Sequence, residues 1–144
     1  MRTIGQQEVR PTGHNSVVVS FQLDFNDPAG TYVVCPVRPN QAVVDAATCV
    51  RTAFNATSPS CTMGDSNAAA GFLANADVAL STAATASVPA VKRIGVSGEA
   101  YANGKVYAAA DNVTVTWNPG TGGTAGKLVG WVELVDLSLD NVEA

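Results

Sequence analysis

The sequence has a single histidine, three cysteines, and only eight lysines and arginines in 144 residues. Each scarcity removes a class of function. One imidazole, His14, in a polar N-terminal stretch leaves no second ring for a zinc site and no base for a Ser-His-Asp hydrolase. Eight cations against twelve acids give a net charge of −4, which does not build the clustered basic surface that neutralises phosphates. Neither nucleic acid nor a membrane is therefore expected as a partner, and Lys92-Arg93 reads as a solvated loop pair. No apolar run reaches the ~18 residues of a spanning helix, and Met1-Arg2-Thr3-Ile4-Gly5-Gln6-Gln7-Glu8 lacks the apolar stretch of a signal peptide. The chain is expected to be made and used without secretion.

Cys35, Cys49 and Cys61 are odd in number, form no Cys-x-x-Cys pair, and stand 14 and 12 residues apart, which does not match zinc spacing. Two readings stay open: small buried hydrophobes, or a Cys49 to Cys61 bridge across a hairpin turning at Asn55 to Ser58. The acids are scattered over turns rather than paired. Asp65-Ser66-Asn67 begins like a calcium loop but lacks the glycine and glutamate that complete one. Gly120, Gly122, Gly123 and Gly126 share glycine content with a phosphate cradle, without its spacing or its Lys-Ser/Thr ending. No catalytic residue, metal or cofactor is expected, and so no enzyme.

What the chain does contain is 47% hydrophobic residues, much of it alanine, with 13 glycines and 7 prolines and only 14% charge. Small, β-branched and turn-forming residues in that mixture point to an all-β domain. Val19, Phe21, Leu23 and Phe25 alternate with Ser20, Gln22 and Asp24, the pattern of a half-buried strand. Thr31 to Pro36 reads as a second strand, with Pro36 and Pro39 stopping the ladder. Ala47 to Phe54 is a long strand, and Ser60 to Met63 returns it as the second arm of a hairpin. A short helical turn fits around Gly71-Phe72-Leu73-Ala74, and Asn103-Gly104 is the strongest hairpin signal. Val113, Val115 and Trp117 share one face of a further strand, and the glycine-rich loop leads into a last one over 128–137. About eight strands at this spacing predict a single-domain β-sandwich over residues 15–144, in its eight-stranded version a jelly roll. Residues 1–14 show no alternation and are expected to form an extended N-terminal arm that orders on a partner. Tyr101, Tyr107, Trp117 and Trp131 cluster in the C-terminal third; both tryptophans fill the core, or one lies inside and the other at a subunit contact.

Particular runs carry a resemblance. Val50-Arg51-Thr52-Ala53-Phe54-Asn55 through Ser58-Pro59 to Met63-Gly64-Asp65, then Gly71-Phe72-Leu73 and Ala76-Asp77-Val78-Ala79-Leu80, resemble small virion structural proteins of tailed bacteriophages. Gly104-Lys105-Val106-Tyr107-Ala108-Ala109-Ala110-Asp111, leading into Val113-Thr114-Val115, extends the resemblance, which spans residues 42–135. These runs are turns and strands rather than catalytic signatures. The resemblance implies a β-sandwich or jelly-roll protein of the phage head, a capsid decoration (cement) protein that binds the major capsid protein of the assembled shell as a homotrimer. Such a protein stabilises the shell by binding only its assembled form, and symmetric copies multiply weak contacts. It resides on the capsid surface of the virion and in the host cytoplasm during assembly. The expected contact residues are Arg2, Ile4, Val9 and His14 in the arm and Trp117 and Trp131 in the domain. A neck or tail component, forming a ring of six or twelve, and a carbohydrate-binding module stacking sugar on Trp117 or Trp131 are the alternatives.

Overall fold

The computed structural model describes residues 1–9, 16–83, 91–96 and 98–137. In chain order the elements are β1 (Gln6–Val9), β2 (Ser16–Asp24), β3 (Gly30–Val37), β4 (Gln41–Thr52), β5 (Ser60–Gly64), α1 (Asn75–Val78), β6 (Val91–Arg93), β7 (Lys105–Val106), β8 (Asp111–Asn118) and β9 (Lys127–Asp136). Two antiparallel sheets face each other. The larger runs β1-β2-β9-β4-β6, with β7 also paired to β4, and the smaller runs β3-β8-β5. The chain is an all-β sandwich, as its composition and alternation predict.

The pairing is nested. β2 pairs with β9, β3 with β8, β4 with β6, and β5 bridges to Leu73 through Met63. Strands distant in sequence lie side by side. The period of two in each strand then decides which side chains enter the space between the sheets. Val19, Phe21 and Leu23 of β2 meet Val113, Val115 and Trp117 of β8 there, with Leu128, Val132 and Leu134 of β9, all buried. Each such side chain contributes about 1.5–3 kcal/mol when removed from water. Trp117 is a core residue, 1% exposed. Its ring meets Phe54 edge-on at 5.2 Å, and its Nε1 donates to the Asp27 carbonyl at 3.1 Å.

Several sequence expectations are corrected. β5 does not return beside β4 but pairs with β8 in the other sheet. The connecting residues cross the sandwich because Phe54 is drawn into the core against Trp117. Cys49 and Cys61 consequently belong to different sheets, and all three thiols are free and buried. Burial pushes Cys35 and Cys61 up to about 12, so both behave as small inert hydrophobes. Pro36 lies within β3 opposite Asn112, which is tolerated because β3 is an outer strand of its sheet. Asn103-Gly104 does form a turn, with the Gly104 amide donating to the Tyr101 carbonyl at 2.9 Å, but β7 beyond it joins β4 and no hairpin results. Gly104 has φ +87°, and a Cβ there would fall 2.4 Å from the Val43 carbonyl oxygen, so glycine is required. The helical turn comes slightly later, at α1, where the Asp77 carboxylate accepts from the Ala74 amide at 2.9 Å.

The N-terminal residues also depart from expectation. The Val33 amide donates to the Arg2 carbonyl, and the Ile4 amide to the Val33 carbonyl, both at 2.9 Å, which lays residues 2–4 along the free edge of β3. Gln6 to Val9 then pair with Val17 to Ser20 at the edge of the other sheet. Residues 1–9, the described part of the stretch expected as an arm over 1–14, thus run as a strap along one side of the sandwich. Side-chain alternation gives no signal for such a strap, because an exposed sheet edge is satisfied by backbone groups alone. Gly5 is the crossing point: a Cβ there would fall 1.7 Å from the Val34 carbonyl oxygen and 2.5 Å from Val19 Cγ1. His14 lies outside the described residues.

Candidate interaction surface

Of the six expected contact residues, the structure brings three together. Arg2 and Ile4 on the strap and Trp131 on β9 line one groove of about 570 Å³, with Gln6, Ser20, Gln22 and Val129. Trp131 stands on the outer face of the larger sheet, between Ser20 and Ala47 in register, and is half-buried. The Arg2 guanidinium lies 3.8 Å from Asp27 Oδ1 and 5.2 Å from the centroid of the Tyr32 ring, which fixes the strap at its start. Val9 lies on β1 opposite Val17. Trp117 does not join the groove, since it is enclosed in the core.

The larger sheet's outer face is unusually apolar along β9. On β9, Val129, Trp131 and Val135 point away from the core where a solvated face would carry polar groups, and only Glu133 interrupts them. The run from Leu128 to Val135 already contained this signal, since both of its alternating sets are largely apolar. Arg93 of β6 pairs with Asp45 of β4 across the same face, Nη2 to Oδ2 at 2.5 Å. Apart from Met1, every exposed large hydrophobic among the described residues lies on a strand of this sheet (Val44, Val91, Val106) or within three residues of one (Val96, Leu137). The smaller sheet is different: Thr31, Thr116 and Thr62 stand in one cross-strand row on its outer face.

A second constellation was not visible in the sequence. Asp65, 3% exposed, follows β5 directly and gathers five donors. Its Oδ1 accepts from the Tyr101 hydroxyl at 2.9 Å and from the Asn67 and Ala68 amides at 2.9 and 3.0 Å. Its Oδ2 accepts from Lys105 Nζ at 2.6 Å and the Tyr107 hydroxyl at 2.9 Å. Lys105 Nζ also donates to the Tyr101 hydroxyl at 2.9 Å, and lies 4.3 and 4.6 Å from the centroids of the Tyr101 and Tyr107 rings. Burial opposes the ionised carboxylate, but the donors from Lys105, Tyr107, Ala68 and Tyr101 outweigh it and hold Asp65 at about 2. Desolvation pulls Lys105 down, and the bonds to Asp65 and Tyr101 more than reverse it, so Lys105 is raised. Burial, then the neighbouring carboxylate, raises Tyr107. At neutral pH this cluster holds its charges rather than moving protons. Tyr101 and Tyr107, read in the sequence among possible interface aromatics, serve here as donors to a buried acid.

A scan against protein-family models and a search of curated proteins find no match. Solved structures do match. A chain of the cyanophage Pam1 capsid asymmetric unit superposes with a TM-score of 0.56 at 15% identity, covering 90% of this chain and 90% of that one. A chain of the acidic stable capsid of Helicobacter pylori bacteriophage KHP30 gives 0.55 at 17%, covering 94% and 95%. One from the capsid of Ralstonia phage GP4 gives 0.51 at 17%, covering 83% and 84%. The likeness is one of fold. Coverage is mutual in each pair, so the matched chains are close to this one in length and the sandwich accounts for most of each.

Proposed function

We propose that this chain is a structural component of a tailed-phage head: a decoration protein that binds the outer surface of the assembled capsid as a homotrimer and stabilises it. The observation that carries the reading is the fold shared, over nearly the whole of both chains, with chains of three phage capsid structures. The partner is then the major capsid protein, and the place is the virion. We read the nested pairing of β2 with β9, β3 with β8 and β4 with β6 as a jelly roll lacking a regular strand opposite β5. The groove between the strap and Trp131 is the contact with the shell, since it gathers Arg2, Ile4 and Trp131 on one accessible surface. Carbohydrate stacking on Trp117 loses its basis, because that ring is enclosed.

The test is sedimentation of the purified chain with heads assembled without it. Saturable binding in multiples of three, with a rise in the temperature at which the heads open, is the expected result. A chain that remains in the supernatant overturns the reading, and a ring of six or twelve in native mass spectrometry moves the role to the neck or tail. Trp131→Ala weakens sedimentation with heads while leaving the native mass unchanged.

A further inference from the structure

The groove occupies one end of the larger sheet's outer face; the other end has no assigned role. There, Val106 of β7, Ala42 of β4 and Val135 of β9 stand in one cross-strand row. Val44, at the irregularity between Val43 and Asp45, and Leu137, just past β9, flank that row. Val106 is 62% exposed, Val44 46% and Leu137 41%. Contiguous apolar surface of this kind marks a site of association.

We propose that this apolar end of the larger sheet packs against the same surface of further copies of this chain, closing a ring about a symmetry axis. Charge favours a copy of the chain as the occupant. The outward charges nearest this end are Asp45 and Glu133, paired in register, and Arg93, a net of one negative charge, whereas Asp24 and Lys127 lie at the groove end. The chain as a whole carries −4, so copies repel one another over most of their surface and only weakly across this end. Asp45 is moreover neutralised in place by Arg93. A patch at one end of a flat sheet can converge with two others on a three-fold axis, leaving the groove at the opposite end to face a different partner. The inference rests on the self-associating capsid component proposed above and adds the surface that makes it self-associate.

The experiment is sedimentation velocity of the free chain over a concentration series, with no capsid present. The wild type forms a closed oligomer. Val106→Glu with Leu137→Glu places two new carboxylates per copy at the axis and weakens association by at least about tenfold, whereas Thr31→Glu with Thr116→Glu, the same charge change on the smaller sheet, leaves it intact. Urea midpoints verify that each variant is folded, and the milder Val106→Thr with Leu137→Gln serves if the glutamates prevent folding. A wild type that is monomeric throughout, an apolar-end variant that assembles like the wild type, or a threonine-face variant that dissociates equally would each overturn the proposal. A monomer that nevertheless sediments with heads overturns this inference and leaves decoration standing. An oligomer disrupted at Val106 and Leu137 that never sediments with heads does the reverse.

Discussion

The two sheets of this sandwich finish their surfaces in opposite ways. The smaller sheet is completed within the chain. Residues 2–4 cover the edge of β3, and the edge of β5 is met by the Asn75 side chain, which accepts from the Cys61 amide at 2.9 Å, and by Leu73, which exchanges backbone hydrogen bonds with Met63. Its outer face carries a row of threonines, and at its end Asp65 ties β5 to the Tyr101–Tyr107 segment. The larger sheet has short edge strands, three residues in β6 and two in β7, but valine, alanine and tryptophan on the outer side of β9 and at the adjoining Ala42, Ala47 and Val106. Covered edges and a hydroxyl face suit contact with water, while an apolar face suits contact with protein. With the self-contact proposed above, stability and association fall to separate sheets, and each can be cut without the other.

The largest cut is at Asp65. Asp65→Ala leaves the Lys105 ammonium between two tyrosine rings without its counter-ion, and removing one partner of a buried pair costs about 3–5 kcal/mol. Urea denaturation measures the loss, and an unchanged midpoint would show that the cluster does not tie the sheet end. Gly5→Ala acts on the other closure. The new Cβ overlaps the Val34 carbonyl, so the strap must lift from β3 at a cost of about 3 kcal/mol, with faster amide exchange at Val33 and Ile4 as the local readout. Neither substitution touches the apolar face. The fraction that remains folded should therefore keep the wild-type oligomeric state.

These elements were unequally legible from sequence. The inward sets of β2 and β8, Val19-Phe21-Leu23 and Val113-Val115-Trp117, are written in local alternation, because a strand's side-chain period needs no partner. Which strands pair is not local. Adjacent segments joined by a turn look like a hairpin, yet the link from β4 to β5 crosses between sheets once Phe54 enters the core. The strap was hidden for a related reason, since its pairing uses backbone groups that every sequence possesses. Asp65 resembled an ordinary turn acid, and its tyrosine donors lie 36 and 42 residues further on, beyond any spacing rule. The apolar outer face, by contrast, was present in the unbroken run around Trp131 and needed only the recognition that β9 has no second layer outside it.

Acid sharpens the same contrast. Asp65 is depressed to about 2 from an ordinary 3.8, so its contribution is fully present above pH 4 and lost as pH falls toward 2. The shift corresponds to about 2 kcal/mol. Asp65→Asn has no such titration, so the stability gap between wild type and this variant narrows by that amount between pH 5 and pH 2; a constant gap would remove Asp65 from the acid response.

The smallest effect on stability is the most direct comparison of the faces: exchanging a methyl for a hydroxyl on one sheet and the reverse on the other. Val106→Thr on the larger sheet and Thr116→Val on the smaller alter side chains that are both exposed, so each changes unfolding free energy by less than about 0.5 kcal/mol. Their effects on association differ in kind. With the contact proposed above, Val106→Thr removes apolar surface between copies and shifts the concentration dependence of sedimentation toward monomer. Thr116→Val adds a methyl outside the proposed contact, and the midpoint of assembly stays where it was. If the two variants moved assembly equally, general surface hydrophobicity would govern association and the two sheets would have no separate roles.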